Sequence, residues 1–471
     1  MNSSSPFAHL NTYQLMPTSP LNIVILAAGK GTRMYSRLPK VLHEIGGISM
    51  LERVIHTAQS LHPDNISVVI GHGKELVRQR IQANVHWVEQ NQQLGTGHAV
   101  KMALPHLDSN GRTLILYGDV PLIDQQTLQN LLSTAGEDIG LLTDVLDNPT
   151  GYGRIIREQG NVVAIVEEKD ASTAEKAIRE TNTGIFVLPN HKLAQWLNAL
   201  QNHNAQQEYY LTDVIALAQQ DNIPVHPLQV RASWLAAGVN NKLQLAQLER
   251  ILQQQQATAL LQAGVTLRDP ARFDLRGQLT HGQDVVIDIN VVLEGNIELG
   301  DNVTIGANCV IKNAIIGADT TIHPNSNLDN CIIGSNAQIG PFARLRPQAQ
   351  IGNAVHIGNF VEVKNSTIGY GSKANHLTYL GDATIGEHSN IGAGTITCNY
   401  DGVNKYRTII GNQVRIGSGN MLVAPITIGD RATTGAGSTL SRNCPADKLT
   451  LSRSRQTTLP EWQRPEKPVK E

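Results

Sequence analysis

A chain of 471 residues exceeds the usual size of one hydrophobic core, so two or three domains are expected. Hydrophobic residues make up 41% and charged residues 17% of the chain, which is ordinary for a soluble globular protein. The 38 Lys and Arg nearly balance the 40 Asp and Glu, which argues against a nucleic-acid binder, and no apolar run is long enough to span a membrane.

The first segment of the chain carries few signals for a fold. Residues 1–20 are rich in Ser, Asn, Thr and Pro, without a basic start or an apolar centre, which predicts a disordered extension and not a signal peptide. The cysteines lack the spacing of a metal site and favour a reducing compartment; they are Cys309, Cys331, Cys398 and Cys444. We therefore expect a cytoplasmic protein.

Residues 21–240 alternate between strand-like and helix-like stretches. Short apolar runs at residues 21–26, 66–70 and 113–116 are separated by polar or amphipathic segments. This alternation predicts a mostly parallel sheet with helices on both faces.

A long connecting helix is predicted over residues 241–264, because leucine and isoleucine recur at helical spacing from Leu243 to Leu260 and Gly264 is placed to end it. The four consecutive glutamines at 253–256 are interpreted as a solvated face of this helix.

From residue 265 to 450 a six-residue repeat replaces the helical pattern. Leu/Ile-Gly pairs return at intervals of 17 or 18 residues, so three hexapeptides make one coil. This is the pattern of a parallel β-helix, in which one aliphatic side chain per short strand points inward and Gly or Asn forms the corners. The inward positions include Ile287, Leu293, Leu299, Ile305, Ile311, Ile316, Ile322, Leu328, Ile333, Ile339, Leu345, Ile351, Ile357 and Val363. Because strand crossovers are usually right-handed, the repeat alone leaves the hand of the coil open.

The repeat is interrupted once. About seven extra residues separate Ile391-Gly392 from Ile410-Gly411, so residues 395–408 must contain a projecting loop. Loops on repeat scaffolds usually lie on the working face.

A candidate phosphate site follows the first predicted strand. The stretch LAAGKGTRM at 26–34 is a small, Gly-containing turn that lets backbone N–H groups approach phosphates, and Arg33 and Lys40 add positive charge. It is neither a P-loop nor a dinucleotide fingerprint, and such a turn alone is more often structural.

Two further segments favour a ligand at the same place. The stretch QLGTGHA at 93–99 is a second loop of small residues that could contact a base or sugar, and Asp119 follows a predicted strand. An aspartate at the carboxyl end of a parallel strand could hold a hard cation, although a helix cap is the ordinary interpretation.

Taken together, the motifs resemble those of sugar-nucleotide pyrophosphorylases. With the hexapeptide half, residues 21–465 resemble the bacterial bifunctional N-acetylglucosamine-1-phosphate uridyltransferases / glucosamine-1-phosphate N-acetyltransferases. The motifs that carry the resemblance are LAAGKGTRMYS, LPKVLH, QLGTGHA, YGDVPL, PTGYGRI, GPFARLRP, NHLTYLGD and NIGAGTITCNYDG. The resemblance implies a Rossmann-like nucleotidyltransferase domain at 21–240, a linker helix at 241–264, a left-handed β-helix at 265–450 and a C-terminal tail at 451–471.

The resemblance also implies a uridyl-transfer site in the first domain, with Mg²⁺ bound by Asp119 and Asn240. Residues for UTP or the UDP-sugar would be Leu26, Ala27, Ala28, Gly29, Arg33, Lys40, Gln90, Gly95, Thr96, Tyr117, Gly118, Asp119, Gly153, Glu167, Asn182 and Asn240. A sugar 1-phosphate is already an ionised nucleophile, so this reaction needs alignment and charge stabilisation but no general base.

The β-helix would, by the same resemblance, transfer an acetyl group from acetyl-CoA to an amine. His376 would be the catalytic base, since an imidazole exchanges a proton near neutral pH, and Glu362 is a hypothetical partner that orients it. Arg346, Lys364, Tyr379 and Asn390 would bind the sugar phosphate, and acetyl-CoA would contact Ala393, Asn399, Tyr400, Ser418, Ala436 and Arg453. Cys398 is expected to be incidental, because this mechanism needs no thiol.

Proteins of this type are homotrimers that supply precursors of peptidoglycan and lipopolysaccharide, so a homotrimer acting on small molecules is expected, without nucleic-acid or membrane partners. Two alternatives stay open. One is a nucleotidyltransferase with a purely structural or regulatory β-helix, against which His376 and the loop argue. The other is a non-enzymatic assembly subunit, against which the retained Lys40, Asp119 and Asn240 argue.

Overall fold

The computed structural model describes residues 19–465 and 467. The chain divides into two compact units between Leu252 and Gln253. Most of the extension expected at residues 1–20 lies outside the described residues. Its last two residues are described: the Ser19 hydroxyl donates to the Glu137 carboxylate at 3.0 Å, and the Pro20 carbonyl accepts from the backbone N–H of Arg112 at 2.9 Å.

The first unit alternates strands and helices as its sequence predicts. Its strands are β1 Leu21–Ala27, β2 Glu44–Ile45, β3 Ile48–Ser49, β4 Asn65–Ile70, β5 His86–Glu89, β6 Arg112–Tyr117, β7 Ile139–Val145, β8 Arg154–Glu158, β9 Asn161–Val166, β10 Glu180–Pro189 and β11 Val225–Gln229. Its helices are α1 Met50–Gln59, α2 Lys74–Arg80, α3 Thr96–Ala103, α4 Gln125–Ala135, α5 Thr173–Lys176, α6 Asn190–Ala199, α7 Val214–Gln220 and α8 Lys242–Gln262, the last extending into the second unit.

The central sheet has the order β11-β7-β10-β6-β1-β4-β5 and is mostly parallel. Strand β10 runs antiparallel to both β6 and β7, and β8 and β9 form a hairpin beside it. Alternate residues of β1 are buried in two different clusters: Ile23 and Ile25 pack on one face of the sheet, Val24 and Leu26 on the other. A strand buried on both faces explains the near-continuous apolar run at 21–26.

The connecting helix corrects one sequence interpretation. Gln253, the first of the four consecutive glutamines, is only 2% exposed, although the run was expected to be a solvated face. Its side-chain amide donates to the Leu275 carbonyl at 2.9 Å and accepts from the Leu275 N–H at 2.7 Å. The glutamine therefore caps the edge of the first long strand of the second unit, where a buried backbone needs a partner.

The second unit is a coil of short parallel strands, consistent with the left-handed β-helix expected. One face, called face A, is an eleven-stranded sheet: Thr266–Leu267, Val286–Ile287, Thr304–Ile305, Thr321–Ile322, Gln338–Ile339, His356–Asn359, Lys373–His376, Asn390–Ile391, Arg415–Ile416, Thr433–Thr434 and Leu449–Thr450.

The remaining strands form a sheet that starts as one wide surface and then divides. The wide strands are Phe273–His281, Val291–Leu299, Val310–Ile316 and Asn327–Ile333. Face B continues as Arg344–Leu345, Glu362–Lys364, Tyr379–Gly381, Ile396–Cys398, Met421–Val423 and Thr439–Leu440. Face C continues as Gln350–Ile351, Thr367–Ile368, Ala383–Ile385, Thr408–Ile410 and Ile426–Ile428.

All the predicted inward positions are buried in one continuous core. For example, Ile305 is paired with Ile322 in the next coil, and Ile322 with Ile339 in the coil after that. Corners are turned by left-handed residues, such as Asn290, Asn308 and Asn325. The Asn290 amide donates to the Asn308 side-chain oxygen at 3.0 Å, and the Asn308 amide donates to that of Asn325 at 3.2 Å. Asparagine suits this position because it tolerates positive φ and can donate and accept at once.

The interruption of the repeat is a loop at residues 399–407, called the projecting loop, between strands Ile396–Cys398 and Thr408–Ile410. In the described part of the chain, no helix has the length and apolar character that crossing a bilayer requires.

The stacked core predicts a large difference between inward and outward substitutions. Ile305→Ala removes a fully buried side chain and should lower the free energy of unfolding by about 2–5 kcal/mol. Thr304→Ala, at the adjacent exposed position, should change it by less than about 0.5 kcal/mol. Denaturant unfolding followed by circular dichroism checks both values, and equal effects would contradict this description of the core.

Candidate active sites

In the first unit, two parallel strands deliver the phosphate turn and Asp119 to the same edge of the sheet. Leu26 at the end of β1 pairs with Tyr117 at the end of β6. The turn after β1 then passes close to Lys40: a Cβ on Gly31 would lie 2.6 Å from the Lys40 Cβ, and Gly31 has a φ of +61°. Glycine is required there both by the left-handed conformation and by the close approach.

A cavity of about 290 Å³ opens between these segments. Most of the predicted nucleotide residues line it, and the lining comprises Leu26, Ala27, Ala28, Gly29, Lys40, Val41, Gln90, Gln93, Gly95, Thr96, Ala99, Tyr117, Asp119 and Glu208. The structure therefore brings the phosphate turn, the QLGTGHA loop and the end of β6 together around one space.

Lys40 lies between the two predicted metal ligands. Its ammonium is 2.5 Å from an Asp119 carboxylate oxygen and donates to the Asn240 amide oxygen at 3.3 Å. Asn240 reaches this position because the N–H of Val239 donates to the Asp119 carbonyl at 2.9 Å. Two oxygen ligands from distant parts of the chain thus converge on one positive charge.

This donor set fits Mg²⁺. A carboxylate and an amide oxygen are hard ligands, and protein sites for Mg²⁺ commonly supply only one or two such groups while phosphates and water complete the shell. Within the described residues, no group of three or more His, Cys, Asp or Glu side chains could hold a metal by itself. Asp119 and Asn240 would therefore hold the ion jointly with the phosphates of a ligand.

The QLGTGHA loop is held in a shape that only glycine permits. Gly95 has a φ of +108°, and a Cβ there would lie 2.6 Å from the carbonyl oxygen of Tyr209. The Gln90 side chain donates to the Gly95 carbonyl at 3.1 Å, and Thr96 begins α3. Gln90, Gly95 and Thr96 consequently form one rigid edge of the cavity.

The residues predicted for the sugar form a second cluster. The N–H of Asn182 donates to the Gly153 carbonyl at 2.9 Å, and a Cβ on Gly153 would lie 3.4 Å from a Glu167 carboxylate oxygen. Burial raises the pKa of Glu167, nearby carboxylates add to this, and a hydrogen bond from the Thr212 hydroxyl opposes it. Burial raises the pKa of Tyr117, and the charges of Glu167 and Asp119 add to this.

Arg33 and Gly118 do not line this cavity. Arg33 is exposed in the short 3-10 helix Thr32–Met34, and the N–H of Gly118 donates to the Leu26 carbonyl at 3.0 Å. A larger cavity of about 660 Å³ lies beside Thr181, Thr183 and Trp234. None of the predicted site residues line that second space.

Sequence reasoning did not single out Gln93, Glu208 or Thr212. Gln93 lines the cavity and stands in the QLGTGHA motif, so that motif could have identified it. Glu208 lines the same cavity, and Thr212 donates to Glu167 at 3.1 Å. These two come from a segment without a recognisable motif, and only the fold brings them to the site.

In the second unit, His376 stands in a column with three predicted acetyl-CoA residues. The carbonyls of His376, Ala393 and Ser418 accept from glycine N–H groups one coil further on, at 3.3, 2.7 and 2.8 Å, and each of these glycines follows the next member of the column. Ala436 is the last member, and its carbonyl accepts from the Arg453 guanidinium at 3.1 Å. The column forms the corner between faces A and B.

Glu362 contacts Arg346, which corrects the hypothesis that it orients His376. The Arg346 guanidinium donates to the Glu362 carboxylate at 2.7 Å. Glu362 lies on face B, directly beneath Tyr379, whereas His376 lies on face A. In the described part of the chain, the His376 side chain is exposed and makes no hydrogen bond, so the permanent charge of arginine takes the carboxylate instead.

Arg346 and Lys364 lie one coil apart on the same edge, because Leu345 pairs with Val363 just before them. Tyr379 folds over Gly381, where any Cβ would lie 2.3 Å from the phenol oxygen. Asn390 is exposed on face A beside Lys373. Arg346 lies two coils before His376 and at the other end of face B, so about 10 Å along the axis and about 10 Å across the face separate their backbones.

Asn399 and Tyr400 begin the projecting loop. Asn399 is buried, whereas Tyr400 is exposed and forms an isolated antiparallel bridge with Lys405. Cys398 beside them is unpaired, and burial raises the pKa of its thiol, so a reactive thiolate is not favoured there.

Comparison with known proteins agrees with both halves. Residues 23–265 match the model of the MobA-like NTP transferase domain, and residues 275–349 and 336–434 match that of the GMPPB C-terminal domain. Three relatives share the name Bifunctional protein GlmU. The chain is 67% identical over 453 residues to that of Neisseria meningitidis serogroup C, which covers 96% of this chain and 99% of the relative. It is 60% identical over 449 residues to that of Chromobacterium violaceum (95% and 99% covered) and 57% over 449 residues to that of Acinetobacter baylyi (94% and 98%).

The position of Lys40 predicts competition with Mg²⁺. Lys40→Met leaves Asp119 and Asn240 without their positive neighbour, so Mg²⁺ should bind the variant more tightly than the wild type. At a Mg²⁺ concentration about ten times the variant's Kd, the ion should raise its melting temperature by roughly 2–4 °C. Thermal unfolding with and without Mg²⁺ measures this.

Lys74→Met is the matched control, since Lys74 is bound to Glu89 at 2.6 Å elsewhere in the same unit. An equal rise in melting temperature with Mg²⁺ in the wild type and both variants would show that Lys40 does not compete with Mg²⁺.

Proposed function

The chain belongs to the GlmU family of bifunctional proteins, and from that premise we propose how its residues share two reactions between its two units. As a member of this family it is an enzyme with two transferase activities. It acetylates glucosamine 1-phosphate with acetyl-CoA, and it then transfers UMP from UTP to N-acetylglucosamine 1-phosphate, giving UDP-N-acetylglucosamine and pyrophosphate. These reactions contribute to cell-wall precursor synthesis.

Uridyl transfer is assigned to the cavity of the first unit. The phosphate turn Leu26, Ala27, Ala28 and Gly29 would hold the nucleotide, and Gln90, Gly95 and Thr96 would contact the base. The sugar would lie against Gly153, Glu167 and Asn182. Because the sugar phosphate is already an anion, the site needs only to align it with the α-phosphate of UTP.

The charge that develops on the phosphates would be stabilised by Lys40 and Arg33. When bound, Mg²⁺ neutralises phosphate oxygens, and Asp119 and Asn240 would hold it. Lys40 would then turn from Asp119 towards the phosphates, since two cations cannot share one carboxylate at 2.5 Å without strong repulsion.

Acetyl transfer is assigned to the corners and edges of the β-helix. The attacking amine is largely protonated near neutral pH, so a base must remove a proton before it attacks the thioester. His376 would be that base, and its exposed imidazole is free to meet a ligand. Arg346 and Lys364 would bind the sugar phosphate, with Tyr379 and Asn390 against the sugar.

Acetyl-CoA would lie along the column above His376. Ala393, Ser418 and Ala436 offer a small-residue path along the coil, and Arg453 at its end could meet a coenzyme phosphate. Asn399 and Tyr400 would contact the coenzyme from the projecting loop, with Asn399 placed to stabilise the oxyanion that forms on the thioester carbonyl.

A homotrimer is proposed as the working assembly, with the tail after Leu451 reaching a neighbouring chain. Three bulky residues support it: Phe342, Phe360 and Leu377 occupy left-handed corners and are 48%, 58% and 62% exposed. The two phenyl rings stack at 5.3 Å. An exposed apolar stripe at positions where other coils use Asn favours contact with another subunit. A cytoplasmic location is proposed as well, because all four cysteines are unpaired.

The observation that carries the proposal is the separation of the two clusters. In the first unit, Lys40 and Asp119 line one cavity and Asn240 accepts from Lys40, while His376 and the column proposed for acetyl-CoA lie wholly in the second unit. Each activity can therefore be removed by a substitution that leaves the other unit intact.

His376→Ala should slow acetyl transfer by about 10²–10⁴-fold, which is the usual contribution of a positioned base. Thiol release from acetyl-CoA in the presence of glucosamine 1-phosphate, without UTP, measures the reaction. Uridyl transfer by the same variant should equal that of the wild type, which controls for the concentration of protein with a folded first unit.

Each other outcome of that measurement has a definite meaning. Release that survives the substitution keeps the acetyltransferase and removes His376 from its role. Absence of release from folded wild type would falsify the bifunctional assignment and favour a nucleotidyltransferase with a structural β-helix.

Asp119→Asn should reduce formation of UDP-N-acetylglucosamine by about a hundredfold or more, because it removes the only charged ligand proposed for Mg²⁺. Acetyl transfer should be unchanged. Asp138→Asn is the matched control, since Asp138 pairs with His226 at 3.1 Å on the same unit and has no proposed role. Equal rates for both variants, measured as pyrophosphate release, would exclude Asp119 from the site.

A further inference from the structure

The motif NHLTYLGD ends in an aspartate to which neither reaction assigns a role. Asp382 turns the corner between face B and face C with a φ of +51°, and it is only 8% exposed. The three preceding coils place the amides Asn330, Gln348 and Asn365 at this corner, with φ of +48°, +68° and +45°. A buried carboxylate at Asp382, where the preceding coils have amides, therefore needs an explanation.

Asp382 accepts two different side-chain donors. Its Oδ1 accepts from the Asn365 amide of the preceding coil at 2.5 Å, and its Oδ2 accepts from the Asn399 amide at the start of the projecting loop. At a corner occupied by asparagine, the side-chain oxygen accepts one side-chain hydrogen bond. Asn308, for example, accepts one from the preceding coil and donates one to Asn325. An asparagine offers one acceptor oxygen and an aspartate two, so the arrival of the loop explains the exchange.

The same residue also holds the other end of the projecting loop. The backbone carbonyl of Asp382 accepts from the N–H of Thr408 at 3.2 Å, immediately after the loop ends. Within the loop, the N–H of Tyr406 donates to the Asn399 carbonyl at 2.8 Å. Both ends of the loop are thus fastened to one corner residue.

The carboxylate is charged where it does this. Burial by itself raises the pKa of Asp382, but hydrogen bonds from Asn365 and Asn399, together with the ammonium groups of Lys364 and Lys405, bring the pKa below its ordinary value. Hydrogen bonds to an ionised acceptor are roughly twice as strong as neutral ones. One N–H of Asn399 is used in this contact, which leaves its amide oxygen and its second N–H in a fixed direction for a ligand.

We propose that Asp382 is a positioning residue for acetyl transfer, which fastens both ends of the projecting loop and so sets the direction of Asn399 and Tyr400 towards acetyl-CoA. The inference rests on the proposed function, because only that function gives Asn399 and Tyr400 a contact with the coenzyme. Asp382 touches no reacting atom.

The test compares Asp382→Ala and Asp382→Asn with Asp319→Ala in the full-length chain. Asp319 is a matched control: it also turns a corner at positive φ, +58°, and accepts from one asparagine, Asn302, at 3.0 Å, but no loop begins there. Alanine already occupies such a corner at Ala354, with φ of +56°. Uridyl transfer by each variant reports on the concentration of protein with a folded first unit.

Loss of a buried hydrogen bond to a charged group should raise the KM for acetyl-CoA by about tenfold in Asp382→Ala. The KM for glucosamine 1-phosphate should change less than that for acetyl-CoA, because Arg346 keeps its contact with Glu362 and Lys364 loses only a nearby negative charge. Asp382→Asn, with one acceptor for two donors, should raise the acetyl-CoA KM in the same direction. Asp319→Ala should match the wild type.

Amide hydrogen exchange gives a readout that does not depend on activity. Peptides covering residues 396–410 should exchange faster in Asp382→Ala, while the other coils keep wild-type protection. Faster exchange spread evenly over the β-helix would overturn the positioning role in favour of a general structural one. Wild-type values of KM and exchange in Asp382→Asn would overturn the need for two acceptors. If the proposed function itself fails, the wild type will show no acetyl transfer, while Asp382→Ala will still speed hydrogen exchange in the projecting loop.

Discussion

The second unit depends on one constraint, the stacking of a single aliphatic side chain per short strand on its equivalent in the next coil. Ile305, Ile322 and Ile339 show the arrangement. Because the stack fixes the register, residues 17 or 18 positions apart become neighbours without any further interaction. That is how Arg346 and Lys364 come to share an edge, and how His376 comes to stand below Ala393. The column that contains His376 is therefore a by-product of the core.

The first unit reaches the same end by a different constraint. Parallel strands place their carboxyl ends on one edge, so the segments after β1 and β6 must meet. This accounts for the phosphate turn beside Asp119, and the short contact of Val239 with the Asp119 backbone then adds Asn240. In both units the backbone fixes where chemistry can occur, and the side chains at those places decide which chemistry.

This difference explains what the sequence could and could not predict. The six-residue period predicted the core, and the Gly-containing turn after an apolar run predicted where the cavity of the first unit lies, because both follow from chain-local geometry. The partner of Glu362 was predicted wrongly, since a strand pattern gives the coil of a side chain but not the neighbour towards which it turns. Gln253 was expected in solvent because its neighbours in the run are polar, yet a buried strand edge beside it needed a donor and an acceptor. Glu208 and Thr212 gave no signal, as their only link to the site is through the fold.

The corner between faces A and B shows where a repeat fold can vary. Most inward positions are aliphatic because the coil is narrow, although Thr397 and Thr434 are buried at inward strand positions. The corner position carries no such limit: along successive coils it is Asn290, Asn308 and Asn325, then Phe342, Phe360 and Leu377, then Gly394, Gly419 and Gly437, all at positive φ. Asparagine ladders suit solvent, bulky apolar residues suit a subunit contact, and glycine leaves room for a ligand to lie against the backbone. A single backbone conformation thus supports three different surfaces, and the order of the residues along the axis determines where each begins.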